Sequence, residues 1–429
     1  SERKYFDEWF NKFGWVDLGN SGGDVMSATV SSETVLPSNV PAALVRDFNI
    51  YAPPGIDDDF HRAWATLLEE NDAHPLVWTP ENGGHWLPTR TAIIEEILTD
   101  YSRFSSRSII IPKAHSADHG LLPTTIDPPE HHFYRKTLNQ SMAPASVNAM
   151  SDDIRSIVVS LIEGFADKGR CNFTKDFADI LPIRIFLSMM ALPEDDIPIT
   201  KYWTDQLIRP DGSISFADAL QNLKDYIAPF VDDRIGKQGT DLLSRMINTE
   251  TNGRRLTRDE AIKLSIQVFI AGVDTVVNLL GFVFLFLARS ESHRQQIARG
   301  DVAVADAVEE ILRRFPLVTV AREVTADIEF HGVSLKAGDM IAAPTPLAGM
   351  DNSFNHDAAT VSFDRQERNS VTFGKGAHTC PGKNLARLEL RIALEEWFKR
   401  IPDFHVEDES AIGFSSGIVG VVNELKLTW

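Results

Sequence analysis

The ten residues Phe373-Gly374-Lys375-Gly376-Ala377-His378-Thr379-Cys380-Pro381-Gly382 constrain this chain more than any other stretch. They set a cysteine among closely spaced glycines, directly before a run from Asn384 to Arg400 whose pattern predicts a helix. Glycines let the backbone fold tightly round a flat object, and a thiolate at a helix start is stabilised by the unpaired N–H groups there. A cysteine so placed is a ligand or a nucleophile; the ordinary alternative is a small buried hydrophobe beside a helix cap. Cys171, in Gly169-Arg170-Cys171-Asn172, lacks such surroundings and is read as the buried hydrophobe.

Thr257 and Glu260 form a capping box ahead of an apolar run, which predicts the start of a long helix. Inside it, Ala271-Gly272-Val273-Asp274-Thr275 is a poor helix interior. Glycine costs about 1 kcal/mol there, and a threonine hydroxyl competes for backbone carbonyls. Small residues would let the helix pass close to a flat cofactor, with a local opening of the ladder; the alternative is a polar kink satisfied within the core. Gln267, Asp274 and Asn278 interrupt the apolar run from Ile266 to Ala288. A central aspartate costs roughly 2.5–3.5 kcal/mol on membrane-insertion scales, so a buried core helix is predicted instead of a span. Glu310 and Arg313 stand i, i+3 on a further predicted helix, a spacing at which charges pair in any protein.

The loop pattern Phe-Gly-x-Gly-x-His-x-Cys-x-Gly resembles the haem-binding loop of the cytochrome P450 superfamily, matched over all its positions. Ala271 to Thr275 resembles that family's oxygen-binding helix motif, and Glu310-Ile311-Leu312-Arg313 its Glu-x-x-Arg, in the family's order and spacing. From about Pro41 to Trp429 the chain is most like the camphor hydroxylases of the bacterial soluble class. The resemblance implies a mainly α fold with a small β region, and haem b between the central long helix and the cysteine-loop helix. Cys380 would be the axial thiolate on the iron. Asp274 and Thr275 would guide protons to dioxygen. Glu310 and Arg313 would form a structural buried pair, with Phe363-Asp364-Arg365 supplying a further partner. For the haem propionates, which need cationic or hydrogen-bonding partners when buried, the resemblance nominates His131, Arg135, Arg322 and His378.

The same resemblance gives an apolar substrate wall of Ile110, Leu121, Leu122, Val318, Val320, Ile418 and Val419, with Thr124 close by. His119 stands where the resembled hydroxylases use a tyrosine to bond a ketone, and Val320 where they have an aspartate near a propionate. These departures point away from camphor, toward a terpenoid or norisoprenoid ketone anchored by His119. If His119 points elsewhere, the pocket is wholly apolar.

In function, the resemblance implies a haem-thiolate monooxygenase that hydroxylates a small apolar substrate. It would use O2 and electrons from NADH, passed through a ferredoxin reductase and a ferredoxin. No G-x-G-x-x-G occurs in the chain, so the electrons are expected from partner proteins. An acidic ferredoxin would need a basic patch, and the resemblance puts Arg135, Lys375 and Arg387 near the sulfur side of the haem. The alternatives are a peroxygenase or isomerase, against which the Asp274-Thr275 pair argues, and a non-catalytic haem-binding sensor. A cysteine hydrolase would set Cys380 and His378 only two residues apart, with no third orienting group.

Sixty-one acidic residues against 42 basic ones give a net charge of −19, which repels phosphate backbones and anionic membranes. Neither nucleic acid nor a membrane is an expected partner. Two cysteines in such different contexts suggest no disulfide framework, consistent with a cytoplasmic location. With no linker or repeat to divide it, the chain is expected as an N-terminal extension over 1–40 and a single domain over 41–429. Phe6, Trp9, Phe10 and Phe13 predict an amphipathic helix in the extension. Residues 76–79 and 85–87 read as strand, turn, strand, residues 327–340 as a hairpin turning at His331-Gly332, and residues 417–429 as strands with a turn. Pro182, Pro193, Pro198 and Pro210 should each start or stop a helix.

Overall fold

A computed structural model of the chain describes residues 36–70, 73–113, 121–208 and 213–429. The helices that frame the site are α1 (Phe60–Ala65), α2 (His131–Ser141), α3 (Arg258–Arg289), α4 (Val304–Arg314) and α5 (Lys383–Arg400). Around them pack the helices Ser151–Glu163, Leu181–Met190, Ile197–Ile208, Phe216–Arg234 and Leu242–Asn248. The fold is mainly α with a small β region, as expected.

The capping box forms as predicted: Thr257 Oγ1 accepts from the amide of Glu260, and the Glu260 carboxylate accepts from the amide of Thr257 at 2.8 Å. Glu260 also accepts from the Tyr134 hydroxyl at 2.7 Å, which pins the start of α3 to α2. Burial would raise the Glu260 carboxyl, but Arg254, the Thr257 amide and Tyr134 hold it down at about 2. Along α3 the apolar side chains go inward, and 72% of its most apolar window is buried, so its length and composition serve the core. Phe284 stacks on Phe173 at 4.2 Å and meets Trp397 of α5 edge-on at 4.8 Å.

One expectation about helices is corrected. α3 runs without a break through Ala271–Thr275, because Thr275 Oγ1 donates to the carbonyl of Ala271 at 3.0 Å and is satisfied inside the ladder. Leu181–Met190 and Ile197–Ile208 begin at Pro182 and Pro198 as expected, but Phe216–Arg234 continues through Pro229. Its apolar face of Ala219, Leu223, Ile227 and Val231 stays buried across the proline.

The principal sheet orders its strands β1 (Leu76–Thr79), β2 (His85–Pro88), β5 (Met340–Pro344), β4 (Thr319–Val324) and β3 (Phe104–Ser105). β1 and β2 form the expected hairpin, with Thr79 opposite His85. Ile328–Phe330 pairs with Val333–Leu335 across His331 and Gly332, both at positive φ. Toward the C-terminus the expected strands exist but do not pair with each other. Val421–Val422 joins Phe414–Ser415, and Lys426–Thr428 lies between Arg170–Asn172 and His405–Val406. Cys171 is buried there, its thiol pushed up to about 12 by burial.

The compact unit that holds these elements spans Thr34–Trp429. Packing already begins before residue 41, since Val40 is buried and Asn39 Nδ2 donates to the carbonyl of Ser334 at 3.1 Å. The helix expected at the N-terminus, Pro210 and His119 lie outside the described residues.

Candidate active site

The cysteine loop folds against the helix Thr91–Thr99. Gly376 has φ +68°, and a Cβ there would lie 2.8 Å from the carbonyl of Leu98, so this position demands glycine. The loop closes when the amide of Cys380 donates to the carbonyl of Phe373 at 2.8 Å. The sulfur is thereby set just ahead of α5. Burial pushes the Cys380 thiol up, while the amides of Gly382 and Lys383 and the charge of Arg135 pull it back. The helix start thus solvates the sulfur as a thiolate ligand needs.

Next to the loop is a group of cationic and imidazole side chains. The rings of His131, at the start of α2, and His378 lie 4.3 Å apart. Both nitrogens of His131 and Nε2 of His378 are buried without a partner. Arg322, on β4, is 4% exposed, and its one described hydrogen bond goes to the adjacent carbonyl of Ala321. Burial lowers all three groups: His131 to about 4, His378 to about 3 and Arg322 to about 10. Arg135 bonds the carbonyl of Thr379 and the side chain of Asn139. The structure therefore brings His131, Arg135, Arg322 and His378 together. Asp127, which accepts from Ser105 and the amide of Ser106, holds the segment leading into α2 beside them.

α3 supplies Asp274 and Thr275. Ala271 is exposed although it lies midway along a core helix, and Thr275 is half-buried, whereas Val273 and Val276 on either side are buried. An exposed stripe on an interior helix lines an internal opening. Asp274 is 7% exposed, and its carbonyl and Oδ1 both accept from Asn278 Nδ2, at 2.7 and 3.1 Å. Asp274 also bears on Lys201. Burial would lower that ammonium, but Asp179, Asp205 and Asp274 outweigh it and raise it. Sequence reasoning assigned no role to Asn278 or Lys201. The i, i+4 spacing could have flagged Asn278, and it pairs Lys201 with Asp205 on its own helix at 2.8 Å; nothing local links Lys201 to Asp179 or Asp274, which lie on other segments.

The expected substrate wall divides into two sets. Val318 bridges Val419, the amide of Thr319 donates to the carbonyl of Ile418 at 2.8 Å, and the amide of Ala321 donates to that of Ile109 at 2.8 Å. Val318, Val320, Ile418 and Val419 are thus joined, with Ile110 on the neighbouring segment. Leu121, Leu122 and Thr124 are on the approach to α2, and Leu122 packs on the core around Phe133 and Phe269.

Glu310 and Arg313 are both fully buried and joined by two 2.8 Å hydrogen bonds. Arg365 Nε adds a third contact to Glu310 at 3.0 Å, and Arg313 donates to the carbonyls of Ala358 and Thr360. Burial would raise the Glu310 carboxyl, but these donors hold it below its usual range. The pair thereby ties α4 to the segment leading to the cysteine loop. Of the cations expected over the sulfur, Lys375 is paired with Glu95 at 3.0 Å and Arg387 with Glu309. Their charges are largely cancelled, so the expected basic patch is weaker than its residue count suggests.

Two imidazoles with orphaned nitrogens, a buried arginine with one backbone bond and a thiol at a helix start suit a flat group that carries carboxylates and a sulfur-bound metal. Comparison with known proteins agrees. The cytochrome P450 family matches residues 213–410. The chain is 30% identical over 407 residues to the probable cytochrome P450 127A1 of Sinorhizobium fredii, covering 92% of this chain and 97% of that one. It is 32% identical over 301 residues to the steroid C26-monooxygenase of Mycolicibacterium smegmatis, covering 67% and 74%. Among solved structures, that of CYP101J2 is similar with a TM-score of 0.86 and 44% identity, covering 92% of this chain and 99% of that one. That of CYP101C1 gives 0.85 and 34%, with the same coverage.

Proposed function

The chain belongs to the cytochrome P450 family, and on that premise we propose that it hydroxylates a small terpenoid or norisoprenoid ketone with electrons relayed from NADH by a ferredoxin reductase and a ferredoxin. It is a haem-thiolate monooxygenase whose haem b is ligated by cysteine, and O2 and a redox partner come with the family. Bound haem supplies the redox chemistry: one dioxygen, two electrons and two protons become a hydroxyl on the substrate and one water.

In this proposal Cys380 would ligate the haem iron, and the amides of Gly382 and Lys383 with the charge of Arg135 favour its thiolate against the burial that pushes the thiol up. His131, Arg135, Arg322 and His378 hold the two propionates. Thr275 Oγ1 releases the carbonyl of Ala271 to hold a proton for the reacting oxygen, and Asp274, positioned by Asn278, resupplies it. Val318, Val320, Ile418 and Val419 exclude water and bury the hydrocarbon, at about 25 cal/mol per Å² removed from water. Ile110, Leu121, Leu122 and Thr124 complete that wall, and His119 is the polar anchor for the ketone. Likeness to the two CYP101 structures supports a terpenoid-type substrate. A cytoplasmic location and the division into an extension over 1–40 and one domain over 41–429 belong to the same proposal. Neither cysteine is in a disulfide, which supports the location.

The observation that carries the cofactor assignment is the pair of orphaned imidazoles beside buried Arg322, in the same site as Cys380. The test is spectroscopic. The reduced, carbon monoxide-bound protein is expected to show the long-wavelength Soret band of a thiolate-ligated haem, and Cys380→Ser to lose it. A variant that kept the band would assign the ligand elsewhere.

A further inference from the structure

A cavity of about 350 Å³ lies between α1, the C-terminal part of α3 and the end of α4. We propose that it is a second binding site, for a small carboxylic acid with one aromatic or alicyclic ring. None of its lining residues is among those assigned to haem or substrate, so the site stands apart from the reading above.

The wall is aromatic. Phe60 and Phe282 lie 5.2 Å apart, Phe282 and Phe414 are parallel within 8° at 6.1 Å, and Phe286 and Phe315 lie 5.2 Å apart. Such a lining takes hydrocarbon but does not orient it. Orientation must come from the charged and imidazole side chains, and all but one of these are already engaged. His61 Nε2 bonds the carbonyl of Pro316 at 2.8 Å, and His293 bonds Ser290 and the carbonyl of Val361. Arg289 is held by Glu409 at 2.7 Å, and Asp59 caps α1 by accepting from the amide of Arg62 at 2.8 Å.

The exception is Arg314. It is 8% exposed, and Nε donates to the carbonyl of Ala359 at 2.8 Å. Nη1 is buried without a partner, and no carboxylate pairs with this guanidinium among the described residues. The nearest candidate along the chain, Glu310, is taken by Arg313 and Arg365. Burial lowers Arg314 to about 10, and Asp59 only partly offsets it. A buried cation that no carboxylate touches is expensive, and an arginine fork matches a carboxylate in shape as well as charge. The cavity lies near the small end of ligand-pocket sizes, roughly 300–1,000 Å³, so one ring and a short chain fill it.

The test uses the haem-loaded protein with its iron saturated by 4-phenylimidazole, so that the haem pocket is blocked. Calorimetric titration with 3-phenylpropanoate is expected to show one equivalent bound, with 3-phenylpropan-1-ol at least tenfold weaker. Arg314→Met should weaken the acid at least tenfold. Thr360→Trp, at an exposed lining position, should fill the cavity and abolish binding while the carbon monoxide band stays intact, which keeps the test decisive if the arginine variant misfolds. Absence of binding, equal affinity for acid and alcohol, or unchanged binding in Thr360→Trp would overturn the proposal. None of these results bears on the haem reading.

Discussion

Thr275 is satisfied by the helix that carries it, and this is the tension at the centre of the site. Its hydroxyl must leave the carbonyl of Ala271 before it can serve a reacting oxygen, at a net cost of about 0.5–1.5 kcal/mol for one hydrogen bond. Thr275→Ala removes the hydroxyl and keeps an excellent helix former. The variant is expected to bind substrate as the parent does and to consume NADH, but to yield several-fold less hydroxylated product per NADH, with peroxide released instead. Unchanged coupling would leave Thr275 as a helix residue only. At this scale the sequence was legible where one local pattern fixed a placement, as with Cys380 just ahead of α5 and the Asp274-Thr275 pair within α3. It was silent on Lys201, because a charge brought near Asp274 by tertiary packing leaves no periodic trace.

At the scale of elements, α5 does two things at once. Its N-terminus carries the sulfur, and its body is buried on several sides, with Trp397 inside the aromatic cluster. That burial traps Glu389, 3% exposed with Oε2 unpartnered, and raises its carboxyl from the ordinary 4.5 to about 8. Because the folded-state value is raised, the stability it contributes is fully present below about 4.5 and is lost as pH rises through about 8. Each pH unit inside that window is worth about 1.4 kcal/mol at most. Glu389→Gln cannot ionise, so between pH 5 and 8 the denaturation midpoint of the haem-loaded variant should fall less than the parent's. Equal losses would mean that the parent ionises Glu389 freely. Elements with a cap or a strict period were legible, as the capping box of α3 and the His331-Gly332 hairpin show. Those decided by distant partners were not. Phe216–Arg234 continues through Pro229 because its apolar face is held against other helices, and the C-terminal strands chose partners far from each other in sequence.

For the whole molecule, a net charge of −19 sets the terms on which an acidic electron carrier can approach. Lys375 and Arg387 are paired, so attraction on the sulfur side falls to half-buried Arg135 and to Lys383, an exposed residue at the start of α5; neither has an ion pair among the described residues. Lys383→Glu is expected to slow reduction by an acidic ferredoxin several-fold at low salt. The gap should close as ionic strength rises and the Debye length shrinks to about 8 Å. A gap that persists in high salt would point to lost contact instead of lost steering. The joined part of the proposed substrate wall has a consequence of its own. Val318 and Val419 are registered on each other by a backbone bridge, and Thr319 and Gly420 donate through their main-chain amides. What fastens the wall is therefore independent of what the wall displays. Side chains at 318, 320, 418 and 419 can be exchanged while the fastening and the redox parts on α3 and α5 keep their places, so one oxidising body can be fitted to new molecules by changing its facing alone.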